Sequence, residues 1–306
     1  MTPIPPAAQS MTRRRFLRLM GASALTTTAT LLLGTGYAKG IEPYRFDIHR
    51  MELTLPRLDP QFDGFMLLHL SDIHSDATFM TPQRFEQVLG QIGVQPDLVA
   101  VTGDFITNAR TSDIDAILPL LVQLKPHEGT FAVLGNHDHW SGPALMRGAL
   151  ERNGIAELPY AVHTLRRGAA ELHLAGIDDL WPNPRRITPL EQARPLVEDL
   201  AGRLPSTGAA VLLAHEPDVA DISAAFGRFS LQLSGHSHGG QVRVPGRGAI
   251  ILPALGRKYD DGLYQIGDMQ LYTSRGLGMV RPQVRLNCPP EVALITLRAA
   301  QGGGAR

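Results

Sequence analysis

Seven side chains suited to holding metal ions recur where short apolar runs end. The run at 65–71 leads into Asp72-Ile73-His74, and the run at 98–102 into Gly103-Asp104. The run at 130–134 opens into Gly135-Asn136-His137-Asp138. A fourth, at 209–214, ends in His215, and a fifth, at 230–234, in Gly235-His236-Ser237-His238. Carboxylate, imidazole and amide oxygen without thiolate suit Mn, Fe, Zn, Co or Ni, not a cysteine-rich structural zinc. Seven ligands exceed one four-coordinate site, which argues for two ions sharing a ligand. Such a pair lowers the pKa of a bridging water and stabilises attacking and leaving oxygens together, as phosphate ester hydrolysis requires. Asp138 stands where it can fix the His137 imidazole.

Strand tips set side by side can gather residues this dispersed. In open α/β sheets ligands bind at the C-terminal strand edge. Strands are expected at 65–71, 98–102, 130–134, 171–177, 209–214 and 230–234, after an alternating opening stretch at 44–58. Helices are expected near 81–92, 112–124, 142–153, 188–203 and 217–226, each starting close to Thr, Ser, Gly or Pro. Beyond Gly239 only strands and turns are expected, at 241–244, 262–266, 269–274 and 291–297. On an extended backbone residues two apart point the same way, so Asp72 pairs with His74 and His236 with His238. Gly103, Gly135 and Gly235 let the backbone come close to an ion. The polar tetrapeptide at 135–138 reads as a loop. The whole reads as one α/β domain with two sheets face to face and helices outside.

The 306 residues are 43% apolar and 19% charged, with 31 Gly and 23 Pro, the composition of a loop-rich globular chain. Residues 1–38 carry Arg13, Arg14, Arg15 and Arg18 and no acid. Taking those four from 29 basic residues leaves 25 against 29 acidic ones, a balance of about −4 that offers nucleic acid no basic patch. Cys288 is the single cysteine, so a disulfide framework and a Cys-based zinc site are both excluded. It reads as a packing residue. Thr12-Arg13-Arg14-Arg15-Phe16-Leu17-Arg18, followed by a weakly apolar stretch, resembles a twin-arginine export signal. That stretch is too polar for a transmembrane span, and Gly36-Tyr37-Ala38 is a fair cleavage site. The leader, 1–38, is expected to stand outside the domain at 39–306. Export implies the twin-arginine translocation machinery as a partner and a periplasmic or cell-envelope location. An uncleaved leader would serve as a membrane anchor.

Asp-x-His, Gly-Asp, Gly-Asn-His-Asp, a lone His and Gly-His-x-His, in this order across 65–241, resemble the calcineurin-like metallophosphoesterases. The tail motifs HGGQ (238–241), LY (263–264 and 271–272) and SRGLG (274–278), with the leader, are similar to an exported bacterial branch. The resemblance implies a four-layer α/β/β/α sandwich, two mixed β-sheets flanked by helices. It implies that Asp72, His74 and His238 hold one metal ion, Asn136, His215 and His236 a second, and that Asp104 bridges them. The implied ions are Mn, Fe, Zn or Co. His137 is then no ligand but acts on the leaving oxygen or a phosphate oxygen, with Asp138 orienting it. The implied reaction is in-line attack on phosphorus by metal-bound hydroxide.

The expected substrate is a phosphorylated small molecule or lipid, a phosphodiester by preference. A phosphomonoester or a pyrophosphate of lipid- or sugar-nucleotide type is the alternative, and a non-catalytic metal-binding scaffold is a third reading. Further out, Asp178-Asp179 are read as a substrate loop or a plain turn, and Arg275 as a phosphate contact or part of a Gly-rich turn. His139 is read as a substrate contact or a surface residue. Arg185-Arg186 are read as a solvated loop, and the Gly239-Gly240-Gln241 stretch as steering the chain away from the metals.

Overall fold

The computed structural model describes residues 12–14, 20, 32–108, 111–181, 183–185 and 188–300. One sheet is built from β1 (Asp47–Leu55), β2 (Phe65–Leu70), β3 (Leu98–Thr102), β4 (Thr130–Val133), β5 (Ala156–Glu157) and β14 (Glu291–Ala299), in the order β1-β14-β2-β3-β4-β5. The other contains β6 (Ala161–Arg167), β7 (Ala170–Gly176), β8 (Ala209–Leu213), β9 (Leu231–Ser234), β12 (Gly262–Ile266) and β13 (Met269–Thr273), in the order β12-β13-β9-β8-β7-β6. Strands β2 to β5 run parallel, as do β7, β8, β9 and β13, while β14, β6 and β12 add antiparallel pairs. Both sheets are therefore mixed.

The near-continuous apolar runs reflect burial on both faces. From β2, β3 and β4, Leu67, Leu98, Ala100, Phe131 and Val133 point between the sheets, against Leu172, Val211 and Leu233 of the second sheet. The alternate residues Leu68, Leu70, Val99, Val101 and Ala132 point the other way. There they meet α1 (Pro82–Gly90), α2 (Thr111–Val122) and α4 (Pro143–Arg152) through Phe85, Ile117, Leu118 and Met146. The second sheet's outer face is covered by α5 (Leu190–Arg203) and α6 (Ala220–Ala225) through Val197, Leu200 and Ile222. Helix α1 shows how sequence sets such an element. Thr81 Oγ1 accepts the Arg84 N–H at 3.3 Å, Pro82 opens the first turn, and Phe85, Val88 and Leu89 share the buried face. Truncating a side chain like Phe85 to Ala costs about 3–5 kcal/mol. The expected four-layer α/β/β/α sandwich is the observed fold.

Three local features differ from expectation. Residues 136–141 form a short helix, α3 (Asn136–Ser141), because the Asp138 carboxylate accepts the Gly135 N–H and caps the first turn. Strand β6 was missed because Leu165 is its one buried residue and His163 and Arg166, on opposite faces, are both exposed, so it lacks the apolar density of a buried strand. A two-stranded ribbon, β10 (Arg243–Val244) with β11 (Gly248–Ala249), stands where one strand was expected.

Residues 32–40 are helical and Ala38 is buried, its carbonyl accepting the Arg285 N–H at 2.9 Å. The last residues assigned to the leader therefore pack on the domain. Most of the leader, including Arg15 and Arg18, lies outside the described residues. Among the described residues no helix is long and apolar enough to cross a membrane.

Candidate metal centre

The C-terminal ends of β2, β3 and β4 in one sheet face those of β8 and β9 in the other, and the seven expected ligands meet in the gap. His74 Nε2 lies 3.1 Å from His238 Nε2 and 3.3 Å from Asp104 Oδ2, while His238 Nε2 is 3.4 Å from Asp72 Oδ1. Candidate ligand atoms of Asp72, His74, Asp104 and His238 all fall within 4.8 Å of one another. On the other side of Asp104, His215 Nε2 is 3.4 Å from the same Oδ2, 3.2 Å from Asn136 Oδ1 and 3.2 Å from His236 Nδ1. Asp104 Oδ2 thus touches both groups. All seven residues are buried.

The surrounding main chain fixes which imidazole nitrogens face inward. His215 Nδ1 donates to the Thr102 carbonyl at 2.7 Å, and His236 Nε2 to the Ala254 carbonyl at 2.7 Å. Those protons leave lone pairs on His215 Nε2 and His236 Nδ1, beside Asn136 Oδ1. His215 Nε2 lies 3.2 Å from each of the other two, a buried group of lone pairs that a cation would satisfy. The donor set therefore fits metal ions.

Electrostatics make the same demand. Burial alone would raise the Asp104 pKa, but His215 and His137 outweigh it and hold the carboxyl well below its ordinary range. Burial disfavours a charged His215, yet the Asp104 and Asp72 carboxylates hold its proton well above the usual value. A cation bound there would take the place of the His215 proton beside Asp104. His236, by contrast, is pushed down to about 3, chiefly by burial and then by His215.

The two-apart pairing of ligands holds, but not through extended backbone. Asp72, His74, Asp104, His236 and His238 all adopt left-handed φ, between 45° and 66°. The strands have already ended there, and the turns aim the side chains inward. Such conformations cost on the order of 1–3 kcal/mol each and persist where the surrounding packing enforces them. Part of that packing comes from glycine. A Cβ on Gly235 would sit 2.2 Å from Asp72 Oδ2, and one on Gly276 would sit 2.6 Å from Asp72 Cβ. The Gly-rich 274–278 stretch is thus a brace behind Asp72.

His137 projects over the cluster into an adjoining cavity, its ring 4.7 Å from that of His74 and edge-on to it. Its N–H donates to Asp104 Oδ1 at 2.9 Å, and its Nδ1 is 3.1 Å from the Thr107 carbonyl. Burial lowers its pKa, with Asp104 opposing. Asp138 was expected to orient this ring. Instead its carboxylate accepts the N–H groups of Phe105 at 3.0 Å and Gly135 at 3.1 Å, tying two ligand-bearing loops together. Burial, and then the Asp104 charge, raise the Asp138 pKa to about 7.

The Arg275 guanidinium, considered for a phosphate contact, pairs with Glu291 and with Asp47 at 3.0 Å. Asp178 bridges His139 at 2.8 Å and Arg147 at 2.8 Å, so His139 and Asp178 hold each other. Asp179 is buried beside Glu216, and its pKa rises to about 11 through burial and that neighbour's charge. Arg185 is exposed, and Arg186 lies outside the described residues. Gly239, Gly240 and Gln241 share left-handed φ and turn the chain, as expected. Cys288 is buried and packs against the Gly239 backbone.

Sequence reasoning passed over Thr107, Trp140, Trp181 and Arg285. Reading 136–141 as a helix would have placed Trp140 one turn from His137, where the rings are 4.8 Å apart. Fully buried Arg285 donates to the carbonyls of Arg275, Gly276 and Gly278 at 2.7–3.1 Å, and no local pattern announces it.

Residues 65–240 match the calcineurin-like phosphoesterase family. The chain is 32% identical over 294 residues to the uncharacterized metallophosphoesterase YkuE of Bacillus subtilis, spanning 95% of this chain and 99% of that one. It is 30% identical over 292 residues to the phosphodiesterase YaeI of Escherichia coli, spanning 94% and 99%. A more distant relative is the UDP-2,3-diacylglucosamine pyrophosphatase LpxG of Chlamydia trachomatis, 25% identical over 333 residues and spanning 90% and 96%. The family match and the buried carboxylate–imidazole cluster agree, and the chain belongs to the calcineurin-like phosphoesterases, hydrolysing phosphoester bonds with the help of metal ions.

Proposed function

We propose that the protein is a phosphodiesterase with a two-metal centre. Asp72, His74 and His238 would hold one ion, Asn136, His215 and His236 the other, and Asp104 would bridge them. The convergence of both ligand groups on the single oxygen Asp104 Oδ2 carries this reading. Mn, Fe, Zn or Co suits the donors. When bound, the ions would supply an activated water and neutralise charge on the phosphate oxygens.

The chain's own residues do the rest. The Thr107 carbonyl holds His137 Nδ1–H, which leaves Nε2 turned to the cavity. In its protonated form His137 passes the Nε2 proton to the leaving oxygen as the bond to phosphorus breaks. Asp138 keeps the loops bearing His137 and Asp104 in register. Burial keeps bulk water from competing for these contacts.

The diester preference draws support from the relative named a phosphodiesterase, and the pyrophosphatase among the relatives favours a second reading, cleavage of a pyrophosphate in an envelope precursor. The twin-arginine motif supports export to the periplasm or cell envelope. The test is hydrolysis of an aryl phosphodiester and the matching monoester by metal-stripped protein resupplied with Mn, Zn, Fe or Co. Metal-dependent turnover favouring the diester is expected. Two ions bound without turnover of either ester would overturn the reading in favour of a scaffold.

A further inference from the structure

The metal cluster forms one end of a cavity of about 440 Å³, within the range of ligand pockets. Away from His137, His236 and His238 its walls are aliphatic, with Val242, Leu252, Val280 and Val284 among them. The polar residues in those walls are already engaged. Ser237 Oγ donates to the Asp260 carbonyl at 2.6 Å, and the Gln241 amide serves the main chain of Val280 and Pro282. Trp140 Nε1 donates to the Trp181 carbonyl at 2.9 Å. What remains is the buried Trp181 Nε1–H and the exposed Arg281 guanidinium. Those two donors suit phosphate oxygens. A sugar or a nucleobase in this arm would lose its water contacts and regain few.

The outer rim extends the same character. Ile250 is 61% and Ile251 75% exposed, and both line the cavity. Their segment is joined to the opposite wall through the Ile250 N–H to Val242 carbonyl bond at 3.1 Å and the Arg243 N–H to Leu286 carbonyl bond at 2.9 Å. Leu286 is itself 36% exposed. Large aliphatic side chains at a mouth leading into an apolar cavity mark a surface that meets something apolar.

We propose that the substrate is an amphiphilic phosphodiester whose alkyl or acyl chain lies along Val242, Leu252, Val280 and Val284, with its phosphate at the metal cluster. This rests on the phosphodiesterase reading. It adds that the second ester substituent is a hydrocarbon chain, not a sugar or a nucleoside.

The test is a series of 4-nitrophenyl phosphodiesters whose second ester is methyl, butyl, hexyl or octyl, each kept monomeric below its critical micelle concentration. With the full-length, metal-loaded enzyme, kcat/KM should rise by about two- to fourfold for each methylene that enters the cavity. Leu252→Asp and Val284→Asp should each collapse the octyl-to-methyl ratio towards one, with thermal melting confirming that the variants fold. A flat series with clear turnover of the methyl ester would overturn the proposal and leave the phosphodiesterase reading intact. An octyl preference that survives in both variants would also overturn it, by placing the chain elsewhere. Absence of turnover throughout the series would overturn both readings together.

Discussion

The Nδ1 of His137 lies 3.1 Å from the carbonyl oxygen of Thr107, so the ring is aimed by backbone and not by a carboxylate. A carbonyl accepts the hydrogen bond and does not ionise. The imidazole is thereby oriented without the strong pKa elevation that a carboxylate partner brings.

Replacing His137 by Asn should lower kcat for an alkyl diester by about 10²–10⁴, the usual weight of a general acid. A nitrophenolate leaves without much help, so its diester should lose less. Metal content by mass spectrometry should stay at the wild-type level. Equal losses with good and poor leaving groups would show that His137 does not supply the proton.

Asp104→Asn weakens the one oxygen common to both ligand groups and alters the acceptor for the His137 N–H. Bound metal should fall and activity should drop by more than about 10³, a larger loss than that of a single oxyanion donor. Chelation of the wild type should abolish activity and lower the melting temperature, since ions that bind only the folded chain stabilise it. A chelated protein with unchanged melting would contradict metal binding at this buried cluster.

Arg285→Met removes the donor shared by three carbonyls behind Asp72; Gly276 keeps the Glu291 N–H, whereas those of Arg275 and Gly278 lose the Arg285 bond. Leaving buried carbonyls unpaired costs about 1–3 kcal/mol each. Urea unfolding should show a shift of that order, accompanied by weaker metal binding because the 275–278 brace loosens. A shift below ~1 kcal/mol would mean that other donors replace it.

Acid should destabilise the fold through His69, a buried residue outside the ligand set. Burial lowers its pKa from 6.5 to about 3, while the unfolded chain keeps the ordinary value. The unfolded state therefore binds the proton first. The stabilising contribution is complete above pH 6.5 and is lost as pH falls towards 3, roughly 2 kcal/mol of it by pH 5. Urea titrations at pH 7 and pH 5 on wild type and His69→Leu read this directly, and the variant should show a shallower pH dependence. Parallel losses would assign the effect to other groups.

Changing both Arg13 and Arg14 to Lys keeps the charge but removes the paired guanidinium groups of the export motif. If the proposed export holds, fractionation should find this variant in the cytoplasm and the wild type in the envelope. Equal distribution of the two would refute the export assignment.

Much of this molecule was legible because β2, β3, β4, β8 and β9 are buried on both faces and write themselves as unbroken apolar runs. Their polar ends then stood out, and the cluster of seven ligands followed. What stayed hidden depends on distance. Arg285 meets its carbonyls, and Thr107 meets His137, only after the chain has folded. The helical state of 136–141 was hidden for another reason, since Asn, His and Asp are indifferent helix formers and the decisive cap is a contact from Asp138 to Gly135. Strand β6 shows that an exposed strand face is easily taken for a loop.

The left-handed backbone at five of the seven proposed ligands bears on selectivity. Turns held in place by Gly235, Gly276 and the two sheets do not re-form around whichever ion arrives. The radius and coordination number of an occupant would then be imposed by the cage, so ions would compete on fit and on cellular supply, with the protein contributing a mould of nearly constant shape.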